Sequence, residues 1–165
     1  MKSISLSAAA ATFSLGLTAA YPPRPRLLWN ASPSSPIGLY AVDPHARLRP
    51  GDMAVAWAPR GARRFAAERG YLPFQVPLVK PVAAGDGDRV CAAGATVRIN
   101  GRLAARRQIR DSRERPMPSW TGCIRLSRGD VFLLSHRQPL AFDGRYFGAT
   151  HSAEVVGKAS LLWRR

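Results

Sequence analysis

Short apolar runs separated by glycine, proline and charged residues pattern most of this chain. Residues 37–42, Ile-Gly-Leu-Tyr-Ala-Val, read as a strand. Residues 53–57 follow a Gly51-Asp52 turn and are apolar enough for a buried strand. Between Gly61 and Arg69, Phe65, Ala66 and Ala67 stand among charges, which predicts a short helix closed by Gly70. Residues 74–84 are nearly all apolar, with one cation, Lys80, and Gly85-Asp86-Gly87-Asp88 then turns the chain. Residues 90–92 and 96–99, followed by Asn100-Gly101 and Leu103, read as strands and a hairpin. Residues 105–119 are arginine-rich and irregular, predicting an exposed loop, and residues 131–135 and 154–159 predict two late strands. Ala31-Ser32-Pro33-Ser34-Ser35-Pro36 must be irregular, because each proline removes a donor and restricts its neighbour. No repeat or domain-scale linker interrupts the series. The pattern predicts one all-β domain with a short helix.

The N-terminus is different. Residues 3–23 carry no charge; Lys2 precedes them, and Arg24 and Arg26 follow. Alanines with Phe13, Leu15 and Leu17 fill the middle, and serines and threonines dilute it to the edge of what a bilayer span of about 20 apolar residues needs. Thr18-Ala19-Ala20 has the small-residue pattern of a cleavage site. Residues 1–20 therefore read as an export signal or a weak membrane anchor, residues 21–29 as a linker stiffened by Pro22, Pro23 and Pro25, and residues 30–165 as the domain. Export places the domain in an oxidising space, where the two cysteines, Cys91 and Cys123, favour a disulfide over free thiols. Sequence alone does not show that they meet.

The chain has 165 residues, 25 Lys plus Arg against 10 acids, and a formal charge of +15. This excludes an acidic, solvating protein. Only Lys2, Lys80 and Lys158 are lysine, so arginine supplies the other cations. The arginines are scattered, with a loose cluster at Arg106, Arg107, Arg110, Arg113 and Arg115, and no helix-turn-helix, zinc or RNA-binding motif accompanies them. No nucleic-acid partner is expected. The charge suits attraction to an anionic membrane surface, and codon bias is the alternative source of arginine in place of lysine.

Against that background Lys80 is conspicuous. Every residue within four positions of it is apolar. Arginine keeps its charge in any site, whereas a desolvated lysine gives up its proton and becomes a base near neutral pH. A lysine snorkelling from a strand end is the bland alternative. Ser32, Ser34 and Ser35 lie in a proline-held loop able to fix a hydroxyl beside a base. A Ser/Lys dyad needs no histidine, because the neutral amine removes the hydroxyl proton. His45, His136 and His151 sit in no triad context, and no two histidines have metal-ligand spacing, so no metal and no cofactor is expected.

Four blocks in order resemble the signal peptidase I superfamily, in particular its TraF branch of conjugal transfer peptidases. They are Asn30-Ala31-Ser32-Pro33-Ser34-Ser35-Pro36-Ile37-Gly38-Leu39-Tyr40, Gly51-Asp52-Met53-Ala54-Val55, the run from Leu78 through Lys80-Pro81 to Val90, and Phe142-Asp143-Gly144-Arg145-Tyr146-Phe147-Gly148. The resemblance spans residues 30–163. It implies a mainly antiparallel, signal peptidase I-like sheet or barrel fold, with Ser34 as nucleophile and Lys80 as general base. Ser32 and the backbone N–H of Ser34 become the oxyanion donors, and Asp143 and Arg145 a structural pair near the site. It also supports the Cys91–Cys123 disulfide. Pro36 lies one residue closer to the serine than in ordinary signal peptidases, which leaves Ser35 open as nucleophile. Ala141 stands where those enzymes have a serine contacting the lysine, so that contact must come from elsewhere. Pro81 replaces a basic residue.

The resemblance implies an exported serine peptidase at the inner membrane of a Gram-negative cell, in the periplasm. Its partners would be a conjugative pilin precursor, matured by cleavage or by cleavage and cyclisation, and other conjugation-system proteins. The competing class is a non-catalytic periplasmic assembly factor of the conjugation channel; an intact Ser34/Lys80 pair argues against it.

Overall fold

The computed structural model describes residues 26–165; the expected export segment 1–20 and the first linker residues lie outside the described residues. Ten strands run in chain order: β1 Leu27–Asn30, β2 Gly38–Asp43, β3 Met53–Ala56, β4 Leu78–Ala84, β5 Arg89–Ala93, β6 Thr96–Ile99, β7 Arg102–Arg106, β8 Gly122–Arg125, β9 Phe132–Leu133 and β10 Val155–Arg164. Two helices, α1 Arg60–Glu68 and α2 Gly144–Phe147, and a 3-10 turn at Ser152–Glu154 complete the described elements. The strands form a six-stranded sheet, β1-β2-β10-β3-β4-β9, and a four-stranded sheet, β7-β6-β5-β8. Every strand pairing in them is antiparallel. This is the all-β, mainly antiparallel class with a minor helix that the sequence predicts.

Alternation along the strands sets the core. Val55 pairs with Val79 and Ala54 with Lys80 across β3 and β4. Successive residues point to opposite faces, so each pair commits its own face. Tyr40, Val42, Val55, Val79, Val156 and Ala159 make one apolar cluster, and Ala54, Ala56, Val82, Val131 and Leu133 make another. The centre of the six-stranded sheet is thus covered on both sides, which is why β3 and β4 read as nearly continuous apolar runs. A third cluster, Ala84, Val90, Ala92, Val97, Leu126, Phe132 and Leu134, joins residues of both sheets. Each fully buried Val, Leu or Phe contributes about 1.5–3 kcal/mol.

The local signals work as expected at two turns. Asn100 (φ 50°) and Gly101 (φ 80°) link β6 to β7 with two positive φ angles, the geometry that matches strand twist in a two-residue hairpin. Asn100 also accepts from the Arg89 N–H and donates to Asp88, tying the turn to β5. Helix α1 closes at Gly70, where the N–H groups of Gly70 and Tyr71 reach back to the carbonyls of Ala67 and Ala66.

Three expectations need correction. Residues 27–29 are not linker: they belong to β1, which pairs residue by residue with β2. Segment 105–119 is not a plain exposed loop. Its first residues complete β7; Arg107 is buried with its guanidinium on the carbonyls of Gly94 and Trp120, and Asp111 has a nearly buried carboxylate. Planar guanidinium donors that find backbone carbonyls can be buried where scattered charges cannot. The late strands also differ: β9 is shorter than predicted, while β10, paired with β3 up to Ala159, continues to Arg164 because β2 pairs with it beyond that point.

The β5–β8 register sets Cys91 opposite Cys123, and a disulfide joins them across a sequence separation of 32. A loop of that length implies about 3–4 kcal/mol of stabilisation in the chain-entropy model. The Cys91→Ser, Cys123→Ser double variant is expected to lose stability of that order in denaturant melts. A midpoint unchanged from the parent would show that the staple contributes nothing.

Candidate active site

The serine loop is held by a single asparagine. Asn30 ends β1, and its Nδ2 donates to the carbonyls of Ser32, Ser35 and Pro36, while its Oδ1 accepts from the Ser32 N–H. Asparagine suits this role because its short amide reproduces backbone turn bonds. The Tyr40 hydroxyl also donates to the Pro36 carbonyl, from below on β2. Residues 31–37 are therefore fixed from both flanking strands.

Within this loop the three serines part company. The Ser35 hydroxyl donates to the Val79 carbonyl at 2.7 Å and is buried. The Ser34 hydroxyl instead meets the Lys80 amine, and it also lies 2.7 Å from the Ser32 hydroxyl. Position 34, not 35, is the one that the fold brings to the lysine. The Ser34 N–H points at the Ser32 Oγ, 3.4 Å away, so the two expected oxyanion donors face each other in this structure.

Lys80 is 3% exposed. Its cross-strand partner is Ala54, whose methyl group leaves room for the lysine stem. Among the described residues, the Ser34 hydroxyl is the hydrogen-bond partner of its amine. An ammonium has three donors to satisfy, and this site offers too few acceptors, so burial disfavours the charged form. Desolvation pulls the Lys80 pKa down from 10.5 to about 8; the Asp143 carboxylate pushes it up and the Arg145 guanidinium pushes it down. Those two charges act in opposite directions, which leaves burial as the deciding cause. Ala141 lines the cleft without a hydroxyl, and no other side chain among the described residues takes over the expected contact to the amine.

Asp143 and Arg145 form a buried ion pair at 2.8 Å, with side-chain exposures of 0% and 2%. Unpaired, either charge would be prohibitive; here both are saturated with hydrogen bonds. Asp143 accepts from the N–H groups of Ser135 and Arg145, and Arg145 donates to the carbonyls of Ser135, Gln138 and Pro139. Ser135, fixed in this way, donates its hydroxyl to the Ser34 carbonyl at 3.0 Å. The pair thus reaches the serine through Ser135, across 101 residues of sequence. Gly144 lets this turn pack closely: a Cβ there would lie 2.8 Å from the Leu133 carbonyl and the Phe132 ring. Asn30 and Ser135 are site residues that sequence reasoning missed. The Asn before a Pro/Ser loop was a usable signal, whereas nothing local marks Ser135.

Ser34 and Lys80 open onto a cleft of about 760 Å³ with apolar walls that include Leu28, Trp29, Leu78, Leu140 and Phe142. A hydroxyl hydrogen-bonded to a largely desolvated amine beside such a cleft can transfer its proton and attack a bound electrophile.

The depressed pKa has a consequence for stability. The unfolded chain keeps the Lys80 proton up to about pH 10.5, whereas the folded chain releases it near 8. Between those values the unfolded state binds more protons, so burying this lysine costs stability as pH falls from 10.5 to 8, and the cost levels off below 8. The penalty is on the order of 3 kcal/mol. Lys80→Met is therefore expected to be more stable than the parent at pH 6, with the gain shrinking towards pH 10. Denaturant melts across that range check it; a variant less stable than the parent at pH 6 would mean that the ammonium is solvated or paired well enough to escape the burial penalty.

A family model described as signal peptidase, peptidase S26, matches residues 1–164. Two Escherichia coli proteins described as plasmid transfer protein TraF are each 31% identical to the chain. One aligns over 137 residues, 77% of this chain and 77% of that protein; the other aligns over 146 residues, 81% and 82%. A solved signal peptidase I from Enterococcus faecalis aligns with a TM-score of 0.40 at 18% identity, over 70% of this chain and 98% of that one. Since the family model runs through the serine loop, the lysine strand and the Asp143–Arg145 turn alike, the chain belongs to the signal peptidase family, peptidase S26.

Proposed function

We propose that this protein is a serine endopeptidase with a Ser34/Lys80 dyad that matures a conjugative pilin precursor at the periplasmic face of a Gram-negative inner membrane. The observation that carries the chemistry is the hydrogen bond between the Ser34 hydroxyl and a Lys80 amine whose burial brings its pKa to about 8. Family membership supports the peptidase activity, and similarity to plasmid transfer proteins supports the setting. The uncharged run at residues 3–23 supports export, and the net charge of +15 supports attraction to anionic headgroups. No helix of the described residues is long and apolar enough to cross a membrane.

In the proposed mechanism neutral Lys80 takes the hydroxyl proton of Ser34 as the Oγ attacks the scissile carbonyl carbon. The oxyanion that forms is stabilised by the Ser34 N–H and the Ser32 hydroxyl, which swings away from Ser34 to donate. Collapse breaks the C–N bond; the leaving amine takes the proton from the Lys80 ammonium, and an acyl-enzyme on Ser34 remains. Lys80, neutral again, then takes a proton from either water or the amino terminus of the pilin itself as it attacks the acyl carbon; the ester bond to Ser34 Oγ breaks and the Lys80 ammonium returns the proton to Oγ, giving hydrolysis in the first case and a head-to-tail cyclic product in the second. Asp143 and Arg145 hold the Ser135 turn against the serine throughout and exchange no proton.

Ser34→Ala and Lys80→Ala are expected to abolish precursor processing, with Lys80→Arg equally inactive because an arginine cannot serve as a neutral base. Ser35→Ala keeps Ser34 and Lys80 and is expected to retain substantial activity, at a stability cost of about 1 kcal/mol for the lost bond to Val79. Mass spectrometry of the precursor after incubation separates no reaction, hydrolysis and cyclisation. Processing by Ser34→Ala would overturn the nucleophile assignment, and processing by Lys80→Arg the base assignment.

For the parent, kcat/KM is expected to rise with pH through about 8 as Lys80 loses its proton. A flat profile from pH 6 to 10 would contradict the base role.

A further inference from the structure

One wall of the cleft is built by a separate device. Asp111 lies in the segment after β7, with a side chain 7% exposed. Its Oδ1 accepts from the backbone N–H groups of Arg113 and Arg115, which curls the segment around it. Its Oδ2 accepts from the Arg115 guanidinium and from the Tyr71 hydroxyl. Tyr71 stands in the turn that leaves α1, 40 residues earlier. Arg69 from the same turn lies 3.7 Å from Oδ2 and donates to the Pro116 carbonyl, and Arg115 donates back to the Arg69 carbonyl. The other end of the segment is tied down where the Tyr146 hydroxyl accepts from the Gln108 N–H.

Both halves of this clamp face the cleft. Tyr71 lines it from the α1 side, and Gln108, Asp111 and Met117 line it from the segment after β7. The Tyr71 ring is further braced against Phe65 and Phe142, at centroid distances of 6.1 and 5.7 Å. Asp111 has no hydrogen bond to Ser34, Lys80, Asp143 or Arg145 among the described residues, so the clamp touches the cleft wall and leaves the dyad alone.

We propose that Asp111 is a positioning residue for substrate: its carboxylate locks Tyr71 and the 108–117 segment into one rigid wall, and so sets the affinity of the cleft for the peptide without acting on the chemical step. A preformed wall removes the ordering cost that a loose loop would charge to binding. Asp111 lines the cleft and is hydrogen-bonded to none of Ser34, Lys80, Asp143 and Arg145, which places its effect on affinity rather than on chemistry.

This inference rests on the peptidase reading, and its test keeps the two apart by measuring binding as well as turnover. The probe is a fluorescein-labelled peptide spanning the processing site of the pilin precursor. In Ser34→Ala protein, which is not expected to cleave, adding Asp111→Asn is expected to raise the peptide Kd about tenfold, the effect of losing one charge-assisted bond's worth of order. With Ser34 present, Asp111→Asn is expected to raise KM by a similar factor while kcat and its pH midpoint stay within about twofold of the parent. Tyr71→Phe keeps the ring and removes the hydroxyl; it is expected to raise Kd in the same direction, and combining it with Asp111→Asn is expected to add little. Parent-like Kd values in both variants would overturn the proposal, as would a loss in kcat with KM unchanged. Should Asp111→Asn fail to fold by circular dichroism, the Kd of Tyr71→Phe decides alone. Cleavage by Ser34→Ala protein would instead overturn the dyad and leave the binding comparison standing.

Discussion

Among the described residues, the Ser34 hydroxyl is the one hydrogen-bond partner of the Lys80 amine, too little to solvate an ammonium. The side chain leaves β4 between Val79 and Pro81, opposite the methyl group of Ala54, and ends at the Ser34 hydroxyl. The interior there has been filled by burying apolar strands on both faces of the six-stranded sheet, so the lysine is desolvated by the same packing that stabilises the fold. That coupling is the constraint from which the site follows. A lysine that costs stability when charged is one that releases its proton near neutral pH, and the nearest group able to use the free lone pair is a serine hydroxyl.

The serine has to arrive at that point and stay there. Its loop is tied by Asn30 at one end, by Tyr40 beneath and by Ser135 on its carbonyl, so three different segments of the chain converge on residues 32–36. The Asp143–Arg145 pair belongs to the same support. As an isolated ion pair it would gain little over an apolar replacement. Here its hydrogen bonds fix the backbone of residues 135–139, and through Ser135 the position of Ser34. Its two charges act on Lys80 in opposite directions, and burial is the largest cause of the lowered pKa. The serine is thus positioned through backbone groups that a pair of charges one layer away holds in place.

Local patterns were legible in the sequence wherever local physics decides the outcome. The alternation of β2, the hairpin at Asn100-Gly101 and the Gly70 stop of α1 all follow from side-chain period and turn chemistry. Lys80 stood out because an isolated cation in an apolar run has few benign explanations, and four ordered motifs supplied the family resemblance. What stayed hidden depends on distant pairing. Strand β1 looked like linker because only β2 gives it partners, and exposed β8 has no apolar run of its own and is held by β5 and the disulfide. Segment 105–119 looked like a solvated arginine loop because sequence does not show Gly94, Trp120 and Tyr71 waiting for Arg107 and Asp111. Ser34 and Ser35 are neighbours with equal chemistry; the bond from Ser35 to Val79 separates them, and it spans 44 residues.

The general-base role requires Lys80 to release its proton near pH 8 in the folded protein, well below the ordinary lysine value of 10.5. The chain has only three lysines, so selective carbon-13 lysine labelling gives a spectrum simple enough to titrate, with the Lys80 signal assigned by its loss in Lys80→Met. The account predicts that the Lys80 side-chain resonance titrates with a midpoint near 8 in the folded protein. A midpoint at the ordinary lysine value of 10.5 would show that the buried amine keeps its proton, and the general-base account would fall with it.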